Sequence, residues 1–275
     1  MIMLHRTKVQ RTSVRLYPFT LSFDPFPSYA RLPLMLNGKA VTEIGCVISS
    51  RTAGNMVYSD NADIGPGDTR ARFFRSLGLE TEQVRSCTQV HSRRVLAVEG
   101  RSFDRPEADG MVSRDRDIAL SVTVADCLPV FLYDTASGAS ALLHSGWKGT
   151  GIVLNALSLM AERWGTRPEA AAALLGPCIH PCCYQVDEER AALFEAEFGG
   201  AAGEYPGDAL GPVVKRNGNR PALDLQAANA RLLVNAGVRN IAYCENCTFM
   251  DEHLGSFRRE GPADYTRMLA VMGYF

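Results

Sequence analysis

Three residues whose side chains can bind a metal lie far apart along the chain, each at the end of an apolar run. They are His91, Cys127 and His144. Two imidazoles and one thiolate are good ligands for Zn²⁺, and three protein ligands leave a fourth position open for water or substrate, as in catalytic zinc sites. Their separations match no local metal motif. The residues alone therefore leave a second interpretation open, in which each side chain is packed and hydrogen-bonded at a strand end.

Periodic apolar segments supply the elements that must position these residues. The sequence predicts strands at residues 84–90, 95–99, 118–124, 129–133, 139–143, 241–243 and 268–272. It predicts helices at residues 68–77, 151–163, 187–198 and 223–236, of which the second is apolar on most faces, as a buried helix is. Asp187 is suited to be an N-cap, and Gly78 and Gly237 are suited to end their helices.

The order of these elements favours a mixed α+β fold. A turn at Ser137 and Gly138 makes the flanking strands antiparallel neighbours, which does not fit a doubly wound parallel sheet. No repeat or linker divides the chain, so we predict one domain over residues 1–275, with mixed sheet layers flanked by helices. Residues 1–23 carry basic side chains and no acid, and we expect this start to be loosely ordered.

Composition and charge limit the function classes. The 275 residues include 29 Lys and Arg against 30 Asp and Glu, without the basic excess that nucleic-acid binding needs. No apolar run reaches the roughly 18 residues of a membrane span. The 8 cysteines are too sparse for a disulfide scaffold, so we expect reduced thiols and a cytoplasmic location. None of these features indicates an oligomeric state.

Six separated motifs resemble, in order, those of the YfiH, or laccase-domain, family. They are TQVH at 88–91, ADGMV at 108–112, TVADCLPV at 123–130, HSGWKG at 144–149, GPCIHPCCYQV at 176–186 and SFRREG at 256–261. The resemblance begins near Arg51 and extends to the C-terminus. The chain departs from the family pattern at Ser145, Lys148, His180 and Met250. These departures bear on substrate contacts and leave the metal ligands intact.

The resemblance implies a fold, a metal and an activity. It implies a single-domain α+β enzyme that is similar to the cytotoxic necrotizing factor type of cysteine hydrolase. It places a zinc ion on His91, Cys127 and His144. Family members are described as purine nucleoside phosphorylases acting on adenosine, inosine and S-methyl-5′-thioadenosine with phosphate, with adenosine deaminase activity and an older copper polyphenol oxidase label. Small nucleosides and phosphate are thus the expected partners.

Phosphorolysis requires a place for an anion. The Gly-containing turn before the helix at 151–163 predicts one, because a helix N-terminus directs N–H groups and positive charge outward, and Lys148 adds a full charge. Arg258 and Arg259 offer planar forks that suit phosphate, and Arg51 is a further candidate. For each of these cations, ordinary surface charge is the competing interpretation.

Other residues near the ligands are candidates for catalysis or base recognition. Asp126 precedes Cys127 and is a candidate acid or base, or an orienting group for a ligand; it could instead cap a turn. Gln89 could bind a base edge or simply finish a strand. Trp147 could stack on a purine, although a large aromatic beside a Gly-containing turn is more often a core anchor.

Three other functions remain open on the sequence. Cys127 with His144 or His91 could form the nucleophile and base of a hydrolase or amidase. A copper polyphenol oxidase is disfavoured because multicopper oxidation needs many more histidines than the 5 present. A metal-binding protein without catalysis is the remaining possibility.

The remaining cysteines give weaker signals. Cys244 and Cys247 have the spacing of a redox or zinc pair but lack a second pair, and we predict reduced structural thiols. Cys178, Cys182 and Cys183 crowd a loop that could hold metal. No spacing there matches the zinc-deaminase signature.

Overall fold

Two β-sheets packed face to face form the centre of the molecule, with helices on their outer faces. The structure is a computed structural model that describes residues 13–23, 28–58, 66–100, 104–199, 211–216, 218 and 220–275. The strands are β1 (Arg15–Phe19), β2 (Tyr29–Arg31), β3 (Met35–Leu36), β4 (Lys39–Ala40), β5 (Gly45–Ser49), β6 (Val84–Ser86), β7 (Val95–Ala97), β8 (Gly110–Ser113), β9 (Ala119–Val124), β10 (Leu128–Asp134), β11 (Ser140–Ser145), β12 (Ala171–Leu175), β13 (Val214–Lys215), β14 (Ala222–Leu223), β15 (Asn240–Cys244) and β16 (Met268–Gly273). The helices are α1 (Pro66–Ser76), α2 (Ile152–Trp164), α3 (Glu188–Phe198), α4 (Leu225–Ala236) and α5 (Phe257–Glu260).

Both large sheets are mixed. The seven-stranded sheet has the order β1-β15-β12-β10-β11-β8-β7, and the five-stranded sheet has the order β2-β5-β16-β9-β6. The central strand β10 runs antiparallel to both β11 and β12, whereas β1 with β15 and β7 with β8 are parallel pairs. Two short hairpins, β3 with β4 and β13 with β14, complete the pairing.

Successive side chains of a strand point to opposite faces of its sheet, and so separate hydrophobic cores form on the two faces. In β10, Val130 and Leu132 join the core under α2, α3 and α4, while Phe131 and Tyr133 point into the core between the sheets. The outer face of the five-stranded sheet packs against α1 through a third cluster. Helices therefore cover both outer faces and leave the strand ends and connecting loops to carry polar groups.

The α+β architecture and its main elements are confirmed. The predicted helices are present, α3 begins after the N-cap Asp187, and α4 ends at Gly237, which has a left-handed φ of 110°. The turn at Ser137 and Gly138 joins the antiparallel strands β10 and β11, as predicted. No described helix combines the length and apolarity needed to cross a membrane.

One predicted strand is shorter than expected, and the loosely ordered start expected at residues 1–23 is contradicted over Arg15–Phe19. The strand predicted at 84–90 ends at Ser86, because the chain leaves the five-stranded sheet there and enters a loop that contains His91. Part of the basic start is ordered: Arg15–Phe19 forms β1, whose hydrogen bonds to β15 close one edge of the seven-stranded sheet. Residues 1–12 lie outside the described part of the chain. Pro18 in β1 removes one ladder donor, which an edge strand tolerates.

Candidate metal centre and central cleft

His91, Cys127 and His144, which we call the His–Cys–His centre, converge in space. Their ligand atoms all lie within 4.8 Å of one another, and the two imidazole rings meet edge to face with centroids 4.9 Å apart. His144 lies within β11, Cys127 in the turn between β9 and β10, and His91 in the loop after β6. Bonds of about 2.0–2.3 Å would allow the three atoms to share one ion.

Asp109 binds two parts of this centre through its side chain. Its buried carboxylate lies 2.8 Å from Nδ1 of His144 and accepts backbone N–H bonds from Val90, His91 and Ser92 at 3.2, 3.0 and 2.6 Å. With Nδ1–H donated to Asp109, Nε2 of His144 is left to bind an ion. One carboxylate thus fixes both the ring of one ligand and the loop that carries another.

The electrostatics of the centre favour a deprotonated sulfur. Burial raises the pKa of the Cys127 thiol, but the charge and hydrogen bonds of His144 and His91 outweigh it and lower that pKa to about 6. Burial lowers the pKa of His144, but the Cys127 thiolate and Asp109 raise it to about 9. Although burial opposes it, bonding to His144 and Ser92 lowers the pKa of Asp109 to about 2. A thiolate is the form that binds metal.

The backbone around the centre adopts conformations that most side chains avoid. His91 has a φ of 58° and Asp126 a φ of 84°, both in the left-handed region. Gly146 lies so close to the sulfur that an added Cβ would meet Cys127 Sγ at 2.9 Å and His91 Cδ2 at 3.4 Å. The glycine after β11 therefore leaves room for the two ligands to approach.

Asp126 and Gln89 both use their polar atoms within the protein. Oδ1 of Asp126 accepts from the Thr248 hydroxyl at 2.7 Å, and Oδ2 accepts from the Arg258 backbone N–H at 2.7 Å. Oε1 of Gln89 accepts from both the N–H and the hydroxyl of Thr123, and Nε2 donates to the Thr123 carbonyl. These bonds position the turn before Cys127 and attach the His91 loop to β9.

The His–Cys–His centre lies in a cleft of about 480 Å³, within the usual size range of small-molecule sites. Gln89, Asp126 and Trp147 also line it. Among the described lining residues Asp126 is the only acid. The other lining side chains include aromatic rings and guanidinium groups: Tyr184, Arg190, Phe257, Arg258, Tyr265 and Arg267.

Three of these lining residues, Arg190, Arg258 and Arg267, form what we call the guanidinium rim. Each guanidinium lies over an aromatic ring of the same cleft: Arg190 over Trp147 at 4.8 Å, Arg258 over Tyr184 at 5.5 Å and Arg267 over Tyr265 at 4.2 Å from the ring centroid. Stacking holds a guanidinium by its face and leaves its N–H edge to bind oxygen atoms. Part of that edge is already used in two of the three: Arg258 Nη1 donates to the Gln185 carbonyl at 3.1 Å, and Arg190 Nη2 lies 3.7 Å from the Asp187 carboxylate. The rim suits an anionic ligand.

The structure does not bring Lys148, Arg51 or Arg259 into the described lining of the cleft. Lys148 is exposed beside the Trp147 ring, 5.6 Å from its centroid. Arg51 pairs with Glu260 at 3.5 Å and donates to the Glu252 carbonyl. Arg259 donates to the backbone carbonyls of the loop before α5, a bonding pattern that makes it a structural brace. Its carbonyl acceptors belong to Thr248, Phe249, Asp251 and Leu254.

The predicted anion site before α2 is largely covered by other residues. The turn packs on the loop after His91, since a Cβ on Gly149 would meet the Ser92 carbonyl oxygen at 3.0 Å. The Arg93 guanidinium lies against Gly151, the N-cap of α2, and pairs with Glu197 at 2.7 Å. Positive charge is therefore supplied to the cleft by the guanidinium rim instead.

Sequence reasoning missed Asp109, Arg190 and Arg267. Asp109 belongs to the motif ADGMV, and an acid next to a buried apolar strand was a usable signal of a paired carboxylate. Arg190, in the first turn of α3, and Arg267, just before β16, reach the cleft only through tertiary packing. No sequence signal marked either residue.

Comparisons with known proteins agree on a family. The family model described as multi-copper polyphenol oxidoreductase laccase matches residues 54–274. A purine nucleoside phosphorylase of Corynebacterium glutamicum is 32% identical over 225 residues, covering 76% of this chain and 87% of that protein. An adenosine deaminase of an unknown prokaryotic organism is 32% identical over 196 residues, covering 66% and 71%. The crystal structure of YlmD from Geobacillus stearothermophilus is 26% identical, with a TM-score of 0.72, and the match covers 84% of this chain and 92% of that one.

Proposed function

Because this chain belongs to the family of the multi-copper polyphenol oxidoreductase laccase model, we propose that it is a zinc-dependent purine nucleoside phosphorylase. The resemblance to the YfiH, or laccase-domain, family is confirmed. The proposed substrates are adenosine, inosine and S-methyl-5′-thioadenosine with phosphate, and the proposed second activity is adenosine deamination. One observation carries the proposal: a His–Cys–His centre and three guanidinium groups share one cleft.

The donor set fits Zn²⁺. His91, Cys127 and His144 would hold the ion through two nitrogens and a sulfur, and catalytic zinc sites with three protein ligands keep a fourth position for water or substrate. Asp109 orients the buried imidazole in the way that metal-binding histidines usually require. When bound, Zn²⁺ supplies Lewis acidity that stabilises negative charge developing on the purine.

The rim supplies the phosphate site. In phosphorolysis a phosphate oxygen forms a bond to C1′ of the sugar while the C1′–N9 bond breaks and the purine leaves with the electron pair. Arg190, Arg258 and Arg267 would hold the phosphate through their N–H edges, with charge-assisted hydrogen bonds. Holding both reactants in one cleft lowers the entropic part of the barrier.

Aromatic rings would hold the nucleoside. Trp147, Tyr184, Phe257 and Tyr265 line the same cleft, and Phe257 and Tyr265 meet edge to face with centroids 4.9 Å apart. Flat apolar rings bind a purine by stacking and exclude water from the reacting bond. Asp126 keeps a positioning role in this mechanism, because Thr248 and Arg258 already engage both its oxygens.

One assay tests the activity. The zinc-loaded protein is incubated with each of the three nucleosides, with and without phosphate, and products are separated by chromatography. We expect free base and sugar phosphate only when phosphate is present, and inosine from adenosine without it. Failure of all three nucleosides to react with the loaded protein would contradict the proposal. The variant Arg116→Ala, an exposed arginine outside the cleft, serves as the matched control for rim variants.

A cysteine hydrolase or amidase is the second candidate, because Cys127, His144 and Asp109 form a thiolate–imidazole–carboxylate chain. The expected likeness to the cytotoxic necrotizing factor type of cysteine hydrolase would favour this alternative, and it stays a prediction. Iodoacetamide separates the two candidates. A nucleophilic Cys127 loses activity to iodoacetamide regardless of zinc, whereas a ligand thiolate is protected by zinc and becomes reactive after chelation.

A further inference from the structure

Three thiol groups outside the central cleft lie close together, and we call them the cysteine cluster: Cys182, Cys183 and Cys247. Their sulfur atoms all lie within 4.8 Å of one another, and the sulfurs of Cys182 and Cys183 are 3.4 Å apart. Cys182 is exposed, Cys183 is half-buried and Cys247 is buried. The cluster therefore combines one anchored donor with two donors that a solvent ion can reach.

Backbone pairing between two distant loops creates the cluster. The backbones of Cys178, in the loop after β12, and Cys247, in the loop after β15, form an isolated parallel β-bridge. The Thr248 N–H donates to the Cys178 carbonyl at 3.0 Å. The His180 backbone N–H donates to the Cys247 sulfur at 3.4 Å. An amide aimed at a sulfur is the kind of outer hydrogen bond that supports a metal-bound thiolate.

We propose that the cysteine cluster is a second metal site, separate from the His–Cys–His centre, which binds the soft ion Cu⁺ through the three sulfurs of Cys182, Cys183 and Cys247. Each donor loses its proton to solvent as its sulfur–metal bond forms. No electron is transferred, so the step needs no oxidant or reductant beyond a supply of Cu⁺ and reduced thiols.

The donor set decides the class of ion. Among the described residues no further His, Cys, Asp or Glu joins the three sulfurs. Structural zinc takes four ligands, whereas an all-sulfur set selects a soft ion such as Cu⁺. Three thiolates around Cu⁺ carry a net negative charge, and two cations line the open cleft beside Cys182: Arg220, and Lys215, which pairs with Asp224 at 3.2 Å. Entry from solvent and local positive charge are therefore both provided.

Alkylation of the reduced wild-type protein tests the site without any variant. The protein is treated with iodoacetamide under anaerobic conditions, with and without Cu⁺, and each cysteine is mapped by mass spectrometry. At alkaline pH, where more of each thiol is ionised, we expect Cys182 and, more slowly, Cys183 to be alkylated in the absence of the ion, and both to be protected in its presence. Unchanged alkylation of both residues in excess Cu⁺ would overturn the proposal, as would protection by Zn²⁺ alone.

A variant then tests whether the three sulfurs act as one site. In protein whose His–Cys–His centre has first been filled with Zn²⁺, affinity for Cu⁺ is measured by competition with a chromogenic chelator, and the Cu⁺ ligands are identified by X-ray absorption. We expect Cys247→Ser to weaken this site at least about 100-fold, since even outer partners of metal ligands contribute 10–100-fold. Cys87→Ala, a core cysteine outside the cluster, should retain the affinity and an all-sulfur coordination shell. Equal affinity in Cys247→Ser, or histidine nitrogen in that shell, contradicts the assignment.

Discussion

The floor and the rim of the central cleft are built in different ways. The floor consists of the His–Cys–His centre and Asp109, whose carboxylate is fully buried and bonded to a ligand ring and to three backbone N–H groups. The rim consists of Arg190, Arg258 and Arg267, each stacked on an aromatic ring at the protein surface. The floor is fixed before any ligand arrives, whereas the rim can adjust around one.

This difference sets the expected size of each effect. A buried polar network loses its geometry when one member is removed, because the partners are left without hydrogen bonds in a low-dielectric interior. A half-exposed guanidinium contributes less, because water competes for the same anion and the other rim cations remain. Substitutions in the floor should therefore abolish function, and substitutions in the rim should reduce it only in part.

Removal of a floor ligand should have the largest effect. We expect His144→Ala to lose the bound metal and to lower kcat/KM for phosphorolysis at least about 1000-fold, because the Lewis acid disappears with its ligand. Metal content by mass spectrometry and steady-state kinetics measure both losses. His253→Ala is the control, because His253 lies outside the cleft, and this variant should keep the bound metal. Full activity in His144→Ala without bound metal would contradict the expected difference between the floor and the rim.

Removal of the carboxylate beneath the ligands should have the next largest effect. Asp109→Asn keeps the shape of the side chain but weakens its bonds to His144 and to the His91 loop, and we expect metal affinity to fall about 10–100-fold. Asp134→Asn is the matched control, since Asp134 is also a buried carboxylate and accepts from Ala136 and Ser137. It should change stability and leave metal affinity intact. Equal losses in both variants would show a general stability effect.

The same contrast explains what the sequence could predict. His91, Cys127 and His144 carry rare chemistry and lie in motifs that resemble a family, so these three members of the floor could be predicted despite their separations along the chain, whereas Asp109 was missed. The helices and the strands β7, β9, β10, β11, β15 and β16 could be predicted from their apolar patterns. Strands β5, β8 and β12 were missed, because short apolar runs do not by themselves distinguish a strand from another buried segment. The edge strand β1 could not, because it contains Pro18 and is only partly buried.

Of the rim, only Arg258 was a candidate on the sequence; Arg190 and Arg267 could not be predicted, because an arginine at a helix start or before a strand has no distinctive pattern. Arg258 and Arg259 are adjacent in sequence, yet only Arg258 lines the cleft, while Arg259 donates to backbone carbonyls below it. The direction of each side chain depends on how the short helix α5 docks on Asp126. That docking is a tertiary contact, which local sequence does not encode.

The reactivity of the floor thiol should depend on pH in a way that the other thiols do not share. In metal-free protein the pKa of Cys127 is about 6, so its thiolate is present above this pH and lost below it. We expect its alkylation rate to rise about tenfold from pH 5 to pH 7. Burial raises the pKa of Cys183 to about 12, so its rate should stay low over that range. Mass-spectrometric rates for the two residues provide the measurement, and parallel pH profiles would contradict it.

Removal of one rim cation should have the smallest effect. We expect Arg258→Ala to raise KM for phosphate about tenfold, the loss of one charge-assisted hydrogen bond, with little change in KM for the nucleoside or in bound metal. Arg258→Lys should restore part of the affinity, because charge remains but the planar fork is lost. Arg259→Ala should instead lower Tm, since its four hydrogen bonds to carbonyls of the loop disappear. Phosphate titrations alongside thermal unfolding distinguish the two arginines. An unchanged KM for phosphate in all three variants Arg258→Ala, Arg190→Ala and Arg267→Ala would show that the rim does not bind phosphate. The three stacked guanidinium groups would then serve only to hold the aromatic rings that line the cleft.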